Sequence, residues 1–156
     1  MTRFPIRRAR IYESAAIAKL VRASITELCV ADHGDDQAKI DKWLENKTED
    51  QIHSWLKRDE LFIFVMDGVG RLNAAGCHDT RGVVLMNYIA PDQRLKGLSS
   101  AMLAHLEASM LANGLAEGRL VSTATACQFY KNRGWQAYGE LMPCMGVAGQ
   151  PMRKTL

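Results

Sequence analysis

The chain has 156 residues, 47% of them apolar and 24% charged, which suits one globular domain over residues 1–156 and is too short for two independent cores. Twenty Lys and Arg against 17 Asp and Glu leave a net charge of +3, too small to require a nucleic acid partner and far from the charge excess of a disordered chain. Cys29, Cys77, Cys127 and Cys144 lie far apart without a C-x-x-C pair, which argues against a zinc cage or disulfide framework, and no apolar run approaches the ~18 residues of a membrane span, so a cytoplasmic protein is expected.

Residues 6–11 alternate and follow Pro5, as a strand with one wet face would. Ile17, Leu20, Val21, Ile25 and Leu28 then recur at spacings of three and four, predicting a helix to about Ala31, followed by a polar loop over 32–36. Ile40, Trp43 and Leu44 mark a short helix, and Thr48 with Gln51 forms a capping-box start for another that buries Ile52, Trp55 and Leu56. The apolar run at 61–66, closed by Asp67-Gly68, predicts a buried strand and a hairpin; strands at 69–77 and 83–89 complete an antiparallel meander. Leu98, Met102, Leu103, Leu106 and Met110 define a long helix stopping at Asn113-Gly114. A strand at 119–122, parallel to its predecessor across that helix, a helix at 125–132 and one or two strands after Trp135 finish a mixed α/β chain without repeats.

The most informative stretch joins a strand to the long helix: Tyr88-Ile89-Ala90-Pro91-Asp92-Gln93-Arg94-Leu95-Lys96-Gly97-Leu98-Ser99-Ser100. The first turn of a helix exposes unpartnered N–H groups and the positive end of the helix dipole, and small residues let an anion approach that backbone. Arg94 and Lys96 add charge, although glycine and serine also cap ordinary helices. Neither G-x-x-x-x-G-K-[ST] nor G-x-G-x-x-G is present. The stretch resembles the acyl-coenzyme A signature of the GNAT superfamily of N-acetyltransferases, V-x-P-x-x-R/Q-x-x-G-x-G/A, with Ile89, Pro91, Arg94 and Gly97 on the matching positions. Ser99 stands in place of Gly or Ala, and Leu95 where many members carry glycine. A second segment resembles the family's A-x-x-[LF]-Y-x-x-x-G-[FW] element through Ala126, Phe129, Tyr130, Gly134 and Trp135, with Thr123 where asparagine is usual.

The resemblance implies a GNAT-like α/β (α+β) fold: a mixed, mainly antiparallel central sheet flanked by helices and splayed between its fourth and fifth strands. It implies acetyl-CoA (coenzyme A) as cofactor, held by Ile89, Ala90, Arg94, Leu95, Lys96, Gly97, Leu98, Ser99, Ser100 and Thr123, with a bulge at Asn87-Tyr88-Ile89 opening the gap. Transfer would go to the amine of a small molecule or peptide, with Tyr130 as the acid that assists thiolate departure, since a phenol with a reference pKa of about 10 is protonated at neutral pH. No nucleic acid, membrane or metal is implied; a homodimer stays open.

The base has several candidates, Asp92, Glu140, His33 and a water chain through Asn87, none of them singled out. Asp32, His33, Asp35 and Asp36 suit a cationic acceptor or, equally, a solvated capping loop. Trp43 and Trp55 read as core, Cys127 as packing, and His53, His78 and His105 as surface or boundary histidines. Arg3, Arg7, Arg8 and Arg10 fit a solvated strand edge better than an RNA contact. A non-catalytic acyl-CoA-binding module is the alternative to the enzyme.

Overall fold

A computed structural model describes residues 4–156. Strand β1 (Ile6–Arg8) leads into helix α1 (Ser14–Leu28), whose stripe of Ile17, Leu20, Val21 and Ile25 is buried as the periodicity requires. The helix stops short of Ala31: a separate turn, α2 (Val30–His33), follows and is closed by Gly34 and Asp35, both with left-handed backbone, φ 61° and 57°. Helices α3 (Gln37–Leu44) and α4 (Glu49–Leu56) start at Asp36 and Thr48, whose side chains accept from Ala38 and Lys39 N–H and from Gln51 N–H.

Strands β2 (Leu61–Asp67), β3 (Leu72–Asp79) and β4 (Val84–Ile89) form the antiparallel meander, with β1 on its outer edge. β3 begins three residues later than the sequence pattern implies because Val69 and Gly70 belong to the turn, closed by Gly68 N–H to Arg71 C=O at 2.8 Å. After helix α5 (Leu98–Ala112), a second sheet contains β5 (Glu117–Thr123), helix α6 (Cys127–Lys131) lies between its strands in sequence, and β6 (Gln136–Ala137), β7 (Met142–Cys144) and β8 (Val147–Thr155) complete it, three final strands rather than one or two. The sheets are mainly antiparallel and flanked by helices, the mixed α/β architecture that was expected.

Side-chain alternation along β2 sends Ile63 and Val65 into a core with α1 and Trp43, and Phe64 and Met66 into a second core with α5, Tyr130 and Trp135. α5 lies so close to β3 that a Cβ at Gly76 would sit 2.7 Å from Met102, so only glycine fits there.

The amino-terminal arginines are committed locally. Arg7 pairs with both oxygens of Glu13 (2.7 and 3.1 Å) and both of Asp67 (2.8 and 2.9 Å), which holds the Glu13 carboxyl below its ordinary range. Arg8 lies over the Phe62 ring at 4.8 Å, and Arg10 donates to the Tyr12 hydroxyl; Arg3 lies outside the described residues. Among the described residues no helix is long and apolar enough to cross a membrane.

Candidate active site

The two sheets meet at one point. Val83 and Arg119 form a single parallel bridge, with Arg119 N–H donating to Gly82 C=O at 2.8 Å; beyond it β4 and β5 part. The irregularity that re-aims β4 is not at 87–89: Asn87, Tyr88 and Ile89 pair regularly with Gly76, Ala75 and Ala74. It is at Leu85, the extra residue between Val84, opposite His78, and Met86, opposite Cys77. A bulge increases local twist, so placing it beside the bridge diverts the remainder of β4 as one straight piece. The resulting cleft, of about 370 Å³, is walled by β4, β5, α6 and the end of α1.

Among the described residues, the edge of β4 facing this cleft has no strand partner beyond Val83. Ala90 N–H donates to Asn73 C=O at 2.8 Å and is therefore spent, and strand alternation turns the N–H of Ile89 the other way, into the gap. Asn87 also lines the cleft: its Nδ2 donates to Ser99 C=O at 3.3 Å, while its Oδ1 is buried without a hydrogen-bond partner among the described residues.

At the top of the cleft a short 3₁₀ turn over Pro91–Gln93 and an extended Arg94 lead to two left-handed residues, Leu95 (φ 64°) and Gly97 (φ 78°). This path lifts the chain so that α5 begins with its amides free. Ala101 N–H to Gly97 C=O, at 3.1 Å, is the first bond of the helix, and the N–H groups of Leu98, Ser99 and Ser100 have no acceptor among the described residues. Leu98 itself is buried under the turn, Arg94 and Lys96 are exposed, and Arg94 and Ser99 line the cleft.

Leu95 keeps its left-handed conformation with its side chain 93% exposed, so the cost is not offset by packing. Leu95→Gly should therefore raise stability by about 1 kcal/mol, the usual penalty for a non-glycine residue in this region, measurable by urea denaturation. A lower stability would mean the leucine makes a contact in solution that compensates.

Arg133 lies beside the start of α5. Its Nε donates to Ser100 Oγ at 2.7 Å, as does its Nη2; its Nη1 donates to Phe129 C=O, and its guanidinium lies 3.8 Å from the Phe129 ring centre. A cation is thereby fixed beside the open amides of α5, and the Ser100 hydroxyl is already engaged. Its sequence position, an unspecified place before Gly134, offers no signal of this.

Tyr130 belongs to the α5-side core and is 9% exposed, yet it also walls the cleft. Its ring meets Phe129 and Trp135 edge-on, at 5.0 and 6.0 Å between centroids. Burial pushes the phenol up to about 12, with the nearby Asn87 side chain pulling weakly the other way. Across the gap, Tyr88 accepts from Trp43 Nε1 at 3.2 Å, and burial raises its pKa further still.

Other candidate positions fare differently. Thr123, at the end of β5, lines the cleft, but its Oγ1 accepts from Ala126 N–H at 3.3 Å, closing the turn into α6. Asp32 Oδ1 reaches across to accept from Thr125 N–H at 3.1 Å, which ties α2 to that same turn. His33 is fully buried, bonding Ile25 C=O through Nε2 and accepting from Asp35 N–H at Nδ1, so it serves the α2 turn rather than an acceptor. Asp36 caps α3, Asp92 pairs with Arg71 at 2.7 Å on the surface, and neither Asp92 nor Glu140 lines the cleft. His78, expected near the surface, is fully buried, with Nδ1 on Asp79 C=O and Nε2 on Ser109 Oγ, and stacks on Phe62. Trp43 is core as expected and also walls the cleft.

Residues 29–156 match the family model of the acetyltransferase (GNAT) domain, and the chain belongs to that family. Its fold is similar to that of a GCN5-related N-acetyltransferase from Rhodopseudomonas palustris, at 20% identity and a TM-score of 0.87, covering 100% of this chain and 98% of that one. It is also similar to a paia N-acetyltransferase from Thermoplasma acidophilum solved with coenzyme A, at 16% identity and TM-score 0.80 over 100% of both chains. A third similar structure is yncA, a putative acetyltransferase from Salmonella typhimurium solved with acetyl-CoA, at 16% identity and TM-score 0.74, covering 99% of this chain and 94% of that one. No curated protein matches the sequence.

Proposed function

We propose that this chain is an acetyl-CoA-dependent N-acetyltransferase that moves an acetyl group directly to a primary amine, with Tyr130 assisting thiolate departure. The observation that carries the reading is the convergence of three features on one cleft: the free edge of β4 at Ile89, the unpartnered amides that open α5, and the Tyr130 phenol. The residues present fit the cofactor. Asn87 Oδ1, buried and unpaired in the wall, needs a donor, and an amide-bearing arm lying along β4 would provide one. Two of the similar folds were solved with coenzyme A or acetyl-CoA, which supports the same donor.

The N–H groups of Leu98, Ser99 and Ser100 would hold the diphosphate, with Leu95, Lys96 and Gly97 shaping the approach and Arg94 and Arg133 adding charge. Ala90 and Thr123 contribute through the backbone path and the α6 turn, their own hydrogen-bonding groups being engaged. When bound, acetyl-CoA supplies an acetyl thioester. The amide of Ile89 is then a fixed donor for negative charge developing on a carbonyl oxygen. Overall, an N–C bond would form and the C–S bond break; the departing sulfur would take the Tyr130 proton, the amine would lose one proton to solvent, and solvent would return one to the Tyr130 phenolate.

Assay of free thiol with acetyl-CoA and a panel of amines tests this: release of CoA should depend on the amine and match the N-acetylated product one for one. Binding of acetyl-CoA without release across the panel would leave a non-catalytic acyl-CoA-binding module instead.

A further inference from the structure

On the far side of the β4–β5 gap from the α5 amides lies a second cavity of about 380 Å³, which shares Trp43, Tyr88, Val121 and Thr123 with the cleft. Its roof is the connection between α3 and α4 together with the β7–β8 turn, where a Cβ at Gly146 would touch Lys42 at 3.1 Å. Its walls carry the indoles of Trp43 and Trp55, and no Asp or Glu lines it.

Lys47 lines this cavity and is 5% exposed. Its ammonium has Asn46 Oδ1 as hydrogen-bond partner and lies 5.9 Å from the centre of the Trp55 ring; none of the ion pairs among the described residues involves it. Burial drops its pKa to about 8, with the half-buried Cys144 thiol nearby. The other cation on the wall, Arg58, is neutralised by Glu60 at 2.8 Å. A buried ammonium without a counter-charge is costly, and the cost is recovered only when an anion arrives. One free positive charge matches one carboxylate, and indole walls match an apolar body.

We propose that the acceptor is an amine that also bears a carboxylate, an apolar amino acid in chemical class, whose carboxylate is held by Lys47 and whose body lies against Trp43 and Trp55. This deepens the acetyltransferase reading and rests on it for the transfer itself. It replaces the cationic acceptor that the aspartates at 32–36 suggested, because the Asp32 and Asp36 carboxylates accept from the backbone at the α6 turn and the start of α3, and none of the three aspartates lines this cavity.

Phenylalanine and phenethylamine differ only in the carboxylate, and spermidine represents a cationic acceptor. With acetyl-CoA present, phenylalanine should exceed both in kcat/KM by about tenfold or more, the worth of one charge-assisted contact. Lys47→Met should raise KM for phenylalanine about tenfold and cut the preference for phenylalanine over phenethylamine by a similar factor, while keeping its fold, since neutralising an unpaired buried charge is not destabilising; Lys47→Arg should recover part of the loss. Equilibrium binding of phenylalanine, followed by tryptophan fluorescence without acetyl-CoA, separates the two ideas. If phenylalanine binds through Lys47 but no CoA is released, the carboxylate site stands and the transferase reading falls. If CoA is released with phenethylamine or spermidine as efficiently as with phenylalanine, or if Lys47→Met changes none of these constants, the carboxylate proposal is overturned.

Discussion

Tyr130→Phe is expected to lower kcat by about 10²-fold or more, the contribution of a positioned acid, while leaving acetyl-CoA affinity and the folded state nearly unchanged. The phenyl ring keeps the edge-on contacts with Phe129 and Trp135 that hold the residue in the α5-side core, so the substitution removes the hydroxyl alone. The phenol, pushed up to about 12 by burial, retains its proton through the neutral and moderately alkaline range. Loss of the Tyr130 proton therefore contributes no alkaline limb to the wild-type rate below about pH 11. Steady-state kinetics for several amines, beside calorimetric titration with acetyl-CoA, measure both halves. Unchanged kcat would remove the acid role, and weakened cofactor binding with it would assign Tyr130 to the wall rather than the chemistry.

Trp135→Ala should cost about 3–5 kcal/mol of stability, the range for deleting a large buried aromatic side chain. Trp135 is 2% exposed, and its Nε1 donates to Glu107 Oε1 at 2.9 Å. Glu107 also receives Lys154 Nζ at 3.0 Å, and that ammonium donates to Arg133 C=O at 2.7 Å. One indole thus joins α5, β8 and the turn after α6, and the space beneath it is so tight that a Cβ on Gly118 would sit 2.8 Å from the ring. Truncation leaves a cavity and a partly buried carboxylate short of a donor, and it frees the element that carries Tyr130 and Arg133. Urea denaturation checks the size of the loss, and Trp135→Phe, which keeps the ring volume closer to native, should lose roughly half as much. A Trp135→Ala chain within about 1 kcal/mol of wild type would show that α6 is held by something other than this anchor.

What could be read from the residues was whatever depended on local pattern. The stripe of α1, the Thr48 cap, the apolar run of β2 and the Asn113-Gly114 stop each carry a signal within a few residues, and each is found in place. The β7–β8 hairpin went unread because Met145 and Gly146 take the left-handed turn without the Asn-Gly or Asp-Gly pair that usually marks one. The bulge at Leu85 has no local signal either: it follows from how β4 must leave the single bridge at Val83.

The site divides in the same way. Arg94, Ser99 and Tyr130 sit in motifs whose spacing is visible, and the fold brings them to one cleft. Lys47 lies in a polar stretch, Glu45-Asn46-Lys47, between two helices, where no local pattern signals burial; it is the packing of Trp55 and the β7–β8 turn that encloses it. His33 is a second case of the same kind, a polar residue in a polar stretch that turns inward because Ile25 C=O and Asp35 N–H satisfy both ring nitrogens.

The proposed transfer requires that the start of α5 and the edge of β4 grip acetyl-CoA. Backbone amide NMR during titration with acetyl-CoA reads those groups directly. The largest shifts should fall on Ile89, Gly97, Leu98, Ser99 and Ser100, with Arg133 moving alongside and the α4 surface silent. Shifts confined to other surfaces, or none at saturating acetyl-CoA, would contradict it.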